Sequence, residues 1–253
     1  MKKFLLNIFC LIILFTILIL PQQFSIGSPE WLVDKFFRAE SFPAKVEYYT
    51  GEMLNDIDKK TIGEELKGSG EVLFHQIKAT NDECTFAVAI KTNEPVIDFY
   101  FYLTKVGDEW KINAVRRFLL PSFVYTVYDS LSNLHSLPGQ DSLLYRSLGL
   151  FLMNDSELKS YVNNHLNQLN NLVWYFNQKE NNEVDNLLST LGCNAVFRDT
   201  NFPGCLFVQI SSFKKMESGF IYTSGSFKLP DISYKDFVYL EEVSDSWYIY
   251  RIM

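Results

Sequence analysis

The chain has 253 residues, of which 47% are hydrophobic and 21% are charged, and its formal net charge is -7. This composition excludes a disordered, collagen-like or low-complexity protein, and the length allows one large domain or two ordinary ones. Beyond Lys2 and Lys3 no segment is basic, so neither nucleic acid nor an anionic lipid surface is expected as a partner.

The N-terminal segment is typical of a targeting sequence. Two lysines precede a 17-residue apolar run, residues 4–20, and a proline ends it. Ser25 and Gly27 are small residues placed suitably for a signal peptidase cut before Ser28. Because a spanning helix needs about 20 apolar residues, an uncleaved membrane anchor is the alternative. Residues 1–28 are therefore predicted to be a signal peptide or anchor, with cleavage favoured. The remainder is expected to be exported, whether periplasmic, secreted or at the cell surface, and to contact membrane only through this segment.

Residues 29–120 begin with helical patterns and end with strand patterns. The Ser-Pro pair at 28–29 predicts a helix start, and an apolar stripe extends that helix to about residue 40. A second helix is predicted over about residues 43–54. Beyond Gly70, β-branched and aromatic runs are separated by turn-forming residues. Helices followed by antiparallel strands indicate an α+β module.

The second half of the chain repeats this order. Residues 121–155 form a predicted helical connector, and its apolar composition favours packing over a flexible tether. The strongest helical pattern opens at Asp155, and a further helix around 184–191 ends at Gly192. Strand-like runs continue to the last residue. A second α+β module is therefore predicted over residues 156–253, so that each module consists of helices followed by a curved antiparallel sheet.

The two halves share one short motif. Residues 102–112 and 239–249 match at six of eleven positions with an offset of 137 residues. The pattern predicts a β-hairpin with Asp at the turn and Trp beside it. Tandem duplication is one interpretation, and convergence on the same turn chemistry is the other. Different strand orders in the two sheets would favour convergence.

The first half also resembles a known superfamily. The helix WLVDKFFRA, a second helix, several long strands and the closing DEWKINAVR resemble the nuclear transport factor 2-like superfamily over about residues 29–120. This resemblance implies helices that cover a curved sheet and form a cone with a pocket. Members of the superfamily include isomerases, dehydratases and non-catalytic binding domains, so the resemblance implies a pocket without assigning its use.

The sequence carries no motif for a nucleophile elbow, a phosphate loop or a metal site, so no catalytic residue, cofactor or metal is expected. Four residues are candidates for lining a ligand pocket: Phe99 and Phe101 in an aromatic strand, His75 in an earlier strand, and Asp98. Burial would raise the pKa of Asp98, as a general base requires. A surface histidine, a strand-start aspartate and core phenylalanines are the corresponding structural interpretations.

Two function classes follow. The first is a non-catalytic exported module that binds an apolar small ligand or a protein partner, through a concave surface where sheet and helices of one module meet. The second is a pocket enzyme of the isomerase or dehydratase type in the first module. The first class is favoured because no acid/base pair can be placed.

The cysteines outside the targeting segment are odd in number: Cys84, Cys193 and Cys205. In an exported protein disulfides can persist. Cys193 and Cys205 are twelve residues apart and are predicted to pair, a bond worth about 3 kcal/mol by chain-entropy reasoning. Buried, reduced cysteines are the alternative.

Overall fold

The computed structural model describes residues 24–134, 136–225 and 227–253. The predicted targeting segment lies outside these ranges except for its last few residues. None of the helices in the described ranges is long and apolar enough to cross a bilayer. The protein has the α+β fold expected from its sequence, with two separate antiparallel sheets.

The first half contains short helices followed by a four-stranded sheet. Its helical elements are α1 (Pro29–Arg38), α2 (Lys45–Tyr48), a 3-10 helix (Gly51–Asp56) and α3 (Ile62–Leu66). Its strands are β1 (Glu71–Ala79), β2 (Glu83–Lys91), β3 (Ile97–Val106) and β4 (Glu109–Arg117), which pair in the order β1-β2-β3-β4.

The second half contains longer helices followed by a five-stranded sheet. Its helices are α4 (Ser122–Ser132), α5 (Gly139–Leu152), α6 (Asp155–Gln178) and α7 (Asn181–Leu191). Its strands are β5 (Ala195–Phe197), β6 (Cys205–Phe213), β7 (Met216–Thr223), β8 (Phe237–Ser244) and β9 (Trp247–Ile252), which pair in the order β5-β6-β7-β9-β8.

Local signals explain several of the helix ends. The Ser28 hydroxyl accepts a hydrogen bond from the Trp31 amide and caps α1, as its sequence predicted. Gly192 ends α7 in the left-handed region at φ +66°, which is also as predicted. The prediction of one continuous second helix over residues 43–54 is wrong. The chain there is interrupted between α2 and the 3-10 helix, because residues 49 and 50 pair with Ile112 of β4.

The two central strands of the first sheet, β2 and β3, are buried on both faces. Phe99 and Phe101 of β3 point to one face and pack against α1. The alternate residues Tyr100 and Tyr102 point to the other face, where they join a core shared with α4–α7 and the second sheet. The Tyr102 hydroxyl donates a hydrogen bond to the Val238 carbonyl of β8. The two halves are therefore joined by a common hydrophobic core, with the tyrosines of β3 at the seam.

The repeated motif forms a β-hairpin in both halves, but the two hairpins differ. In the first, Gly107 takes positive φ and Trp110 pairs with Lys105. In the second, Ser246 takes positive φ and Trp247 pairs with Ser244. The final strand is an edge strand in the first sheet and an internal strand in the second. These differences favour shared turn chemistry over duplication.

The predicted disulfide does not form in this structure. All three cysteines of the described residues are free and buried. Cys193 belongs to the shared core with Leu206 and Val208 of β6, whereas Cys205 belongs to a separate cluster on the opposite face of the same sheet. Because alternate residues of a strand point to opposite faces, the twelve-residue spacing does not bring the two thiols together.

Candidate functional site

A buried arginine lies at the seam between the two sheets. Arg251 is on β9, in line with the apolar Trp247 and Ile249 that face the shared core, and it is only 1% exposed. Its guanidinium lies 4.3 Å from the centroid of the Phe118 ring. The Nη2 group donates a hydrogen bond of 2.6 Å to the Met153 carbonyl at the end of α5. A cation at such depth requires an anionic partner.

Asp155, the first residue of α6, supplies that partner. Its Oδ1 accepts a hydrogen bond of 2.9 Å from Arg251 Nε, and its carboxylate also accepts the Tyr100 hydroxyl at 3.0 and 3.1 Å. Burial, and after it the charge of Asp155, raises the pKa of Tyr100 well above its ordinary value. Tyr100 is therefore a neutral hydrogen-bond donor at physiological pH. The capping box of Asn154 and Glu157 fixes the start of α6 and so positions Asp155.

Asp98 completes what we call the Arg251 cluster, which consists of Asp98, Tyr100, Asp155 and Arg251. The Asp98 Oδ2 accepts a hydrogen bond of 2.8 Å from the Asp155 amide. Burial raises the pKa of Asp98 to about 7, with a further contribution from the charge of Asp155, while Arg251 opposes the shift. Near neutral pH this carboxyl group therefore exists in both protonation states.

A cleft opens beside the cluster, and we call it the seam cavity. Its volume is about 270 Å³, close to the lower end of the range for small-molecule sites, about 300–1,000 Å³. About two thirds of its lining residues are apolar, and the polar lining residues are Glu94, Asp98, Arg117, Asn154 and Arg251. The apolar lining residues are Pro95, Val96, Ile97, Phe118, Leu119, Leu120, Tyr125, Phe151, Leu152 and Met153. The cavity therefore combines a largely apolar lining with the Asp98 carboxyl group, whose pKa is raised to about 7 by burial and by Asp155.

A second polar cluster lies across the same seam. Glu241 of β8 accepts hydrogen bonds from Lys159 Nζ at 2.6 Å and the Tyr239 hydroxyl at 2.7 Å, and its Oε2 lies 2.9 Å from His75 Nε2. Burial alone would raise the pKa of Glu241, but these bonds outweigh it and lower the pKa to about 2. The Tyr239 ring stacks on Tyr100 at 5.1 Å. The two clusters are thus in contact, and both oxygens of the Glu241 carboxylate have hydrogen-bond partners.

The structure separates the four residues predicted to line a pocket. Asp98 lies at the seam cavity. Phe99 and Phe101 point to the other face of the sheet, where their ring centroids lie 5.6 and 5.4 Å from that of Phe37. Neither of the two lines the cavity. His75 is on β1 with its side chain 51% exposed, bonded to Glu241. The cavity lies between the halves, not within one module, because the face of β3 that carries Asp98 is covered by the second half.

Sequence reasoning missed Arg251 and treated Asp155 only as a helix start. A signal was present: Arg251 occupies an inward position in the alternating strand WYIYRI, where an isolated charge is unusual. Its partner could not be found in the same way, because Asp155 lies 96 residues earlier. Only the packing of α6 against the second sheet brings the pair together.

Within residues 24–134, 136–225 and 227–253, no group of three or more His, Cys, Asp or Glu side chains is arranged to hold a metal ion. Comparison of the chain with known proteins found no matching family model, no matching curated protein and no matching solved structure.

Proposed function

We propose that this chain is an exported or membrane-anchored binding protein, without catalytic activity, that takes an apolar small molecule into the seam cavity. The observation that carries the proposal is the apolar wall of that cavity with the Asp98 carboxyl group at its side. Apolar walls with a few convergent polar groups are typical of ligand sites. A cavity between two halves also allows a ligand to contact both.

The hydrogen bonds of the Arg251 cluster favour binding over catalysis. A general acid or base must reach the substrate. Tyr100 is fully buried and its hydroxyl is bonded to Asp155, and Asp155 is in turn bonded to Arg251. These three side chains satisfy one another's hydrogen bonds, and neither Tyr100 nor Asp155 lines the cavity. An isomerase or dehydratase is the alternative function, and the pKa of Asp98, raised to about 7 by burial and Asp155, is the observation in its favour.

The binding proposal is tested with a neutral probe, 3-phenylpropan-1-ol, by isothermal titration calorimetry. Leu119 lines the cavity and is 50% exposed, while Leu144 is 43% exposed and lies outside it. Leu119→Ala is expected to weaken binding by about three- to fivefold, since about 25–40 Å² of apolar contact is lost at about 25 cal/mol per Å². Leu144→Ala is the matched control and should leave binding unchanged.

Two results would contradict the binding proposal. One is the absence of saturable binding for this probe and for its analogues with other head groups. The other is an equal loss of affinity in the two leucine variants. Because the expected contacts are apolar and buried, affinity for the neutral probe should change little between about 50 and 500 mM NaCl. Turnover of a substrate that Asp98→Asn abolishes while the fold is intact would establish the enzyme alternative.

The location of the protein is proposed from the lysine-led apolar run before Pro21. Cell fractionation and N-terminal sequencing of the purified protein provide the test. A product that begins at Ser28 supports cleavage, and an intact product in the membrane fraction supports an anchor. A cytoplasmic product that retains Met1 would contradict both.

The resemblance of residues 29–120 to the nuclear transport factor 2-like superfamily is kept as part of the proposal, supported by helices that cover one face of an antiparallel sheet.

A further inference from the structure

The Arg251 cluster contains two carboxyl groups for one cation. Arg251 forms its salt bridge with Asp155 at 2.9 Å, and both side chains are at least nine-tenths buried. Within the described ranges Asp98 takes part in no salt bridge, and its Oδ1 accepts no hydrogen bond, although Oδ2 accepts the Asp155 amide. One oxygen of Asp98 is therefore without a partner beside the seam cavity.

The other cation among the described residues of the cavity wall, Arg117, is not directed at Asp98. Its side chain lies on the opposite face of the sheet, with its guanidinium 5.8 Å from the centroid of the Phe99 ring. Glu157 of α6 adds a third negative charge near Asp98. Among the described residues, the charged or titratable groups that surround Asp98 are Tyr100 on β3, Asp155 and Glu157 on α6, Arg251 on β9, and Glu94, Arg117 and Tyr125 at the cavity. The net charge of the groups around Asp98 Oδ1 is therefore negative.

We propose that the ligand of the seam cavity carries a protonated amine on an apolar body, and that the ammonium group pairs with the free oxygen of Asp98. This inference rests on the proposed function, since it names the class of ligand for the same cavity. An ammonium group supplies the missing positive charge and donates a charge-assisted hydrogen bond. A carboxylate would add a further negative charge beside Asp155, and an alcohol would offer only a neutral hydrogen bond.

Pairing with a cation is linked to the release of a proton. Burial and the neighbouring Asp155 raise the pKa of Asp98 to about 7, so below neutral pH the group is mostly protonated in the free protein. An ammonium ion favours the carboxylate form, and an aliphatic amine keeps its own proton over this range. For a tenfold difference in affinity between the two protonation states of Asp98, binding should release about 0.4 of a proton per ligand at about pH 6 and less than about 0.1 of a proton at about pH 8.

The experiment compares three probes that share one apolar body: 3-phenylpropylamine, 3-phenylpropan-1-ol and 3-phenylpropanoate. Calorimetry at about pH 8 is expected to give at least about tenfold tighter binding for the amine than for the alcohol. Asp98→Asn should weaken amine binding by about tenfold and alcohol binding by no more than about twofold, because Asn can still accept a neutral hydrogen bond. Asp108→Asn, in the exposed β3–β4 turn, makes the same chemical change far from the cavity and should affect no probe.

Proton release is measured with the unmodified protein, by titrating the amine at about pH 6 in two buffers of different ionisation enthalpy. This measurement does not depend on the folding of any variant. Equal affinity for amine and alcohol, tighter binding of the carboxylate, or amine binding without proton release would each overturn the inference while leaving an apolar binding site in place. Failure of all three probes to bind would overturn the proposed function as well.

Discussion

Replacement of Asp98 by Asn is expected to stabilise the protein above neutral pH. The Asn side chain has nearly the shape of Asp, and its Oδ1 can accept the hydrogen bond from the Asp155 amide that Asp98 Oδ2 accepts in the protein. It also removes a negative charge from a buried position next to the Asp155 carboxylate. The variant therefore keeps the bond and avoids the cost of burying the ionised form.

The magnitude follows from the proton equilibrium of Asp98. Burial, together with Asp155, raises the pKa of the group from 3.8 to about 7. Between these values the folded protein holds a proton that the unfolded chain has released, so the free energy of unfolding falls as pH rises through this window. At about 1.4 kcal/mol for each tenfold change in the equilibrium, the full effect is at most about 4 kcal/mol. Partial solvent access to Asp98 reduces the expected value to about 2–4 kcal/mol.

The assay is urea unfolding of the protein and the Asp98→Asn variant at several pH values between about 4.5 and 8. The variant minus wild-type difference should become more favourable to the variant by about 1.5–3 kcal/mol across this range, since about three quarters of the full effect falls within it and titration of the other groups cancels in the comparison. Asp108→Asn serves as the exposed control, expected within about 0.5 kcal/mol of wild type at every pH. A difference for Asp98→Asn that does not vary with pH would refute the reasoning.

Three further predictions concern other buried groups. Arg251→Met should lower the free energy of unfolding in urea by about 3–5 kcal/mol, because it leaves the Asp155 carboxylate buried without its cation. The double variant with Asp155→Asn should recover part of this loss, and a loss below about 1 kcal/mol for Arg251→Met would contradict the assigned role. Glu241, whose pKa is lowered to about 2 by its hydrogen bonds, contributes stability that is complete above about pH 4.5 and lost as pH falls towards 2, so Glu241→Gln should flatten the acid limb of the stability profile. The three buried thiols should resist a thiol reagent in the native protein and react in urea without reductant, whereas a mass-spectrometric fragment containing a Cys193–Cys205 disulfide would show that they pair.

Part of the candidate site was accessible from sequence because its signals are local. The turn and strand patterns placed Asp98 at the start of an aromatic strand, but they did not decide whether its carboxyl group is buried, which is the condition for a raised pKa. The helix start at Asp155 was visible for the same reason. The register of β3 was not accessible from sequence. The same strand could present either Phe99 and Phe101 or Asp98 and Tyr100 to a cavity, because a shift of one residue exchanges the two faces.

The sequence alone determined the fold class, the order of helices before strands in each half, the start of α1 and the C-terminal end of α7, since these depend on periodicity and on capping residues a few positions apart. The tertiary structure decided the rest. It showed that the second half covers the Asp98 face of the first sheet and that Cys193 and Cys205 lie on opposite faces of the second. It also showed that Arg251 meets Asp155 across 96 residues of chain. Each of these depends on which surfaces pack together to bury apolar area, and that choice is made by the whole chain at once, because no short segment can bury its own apolar face.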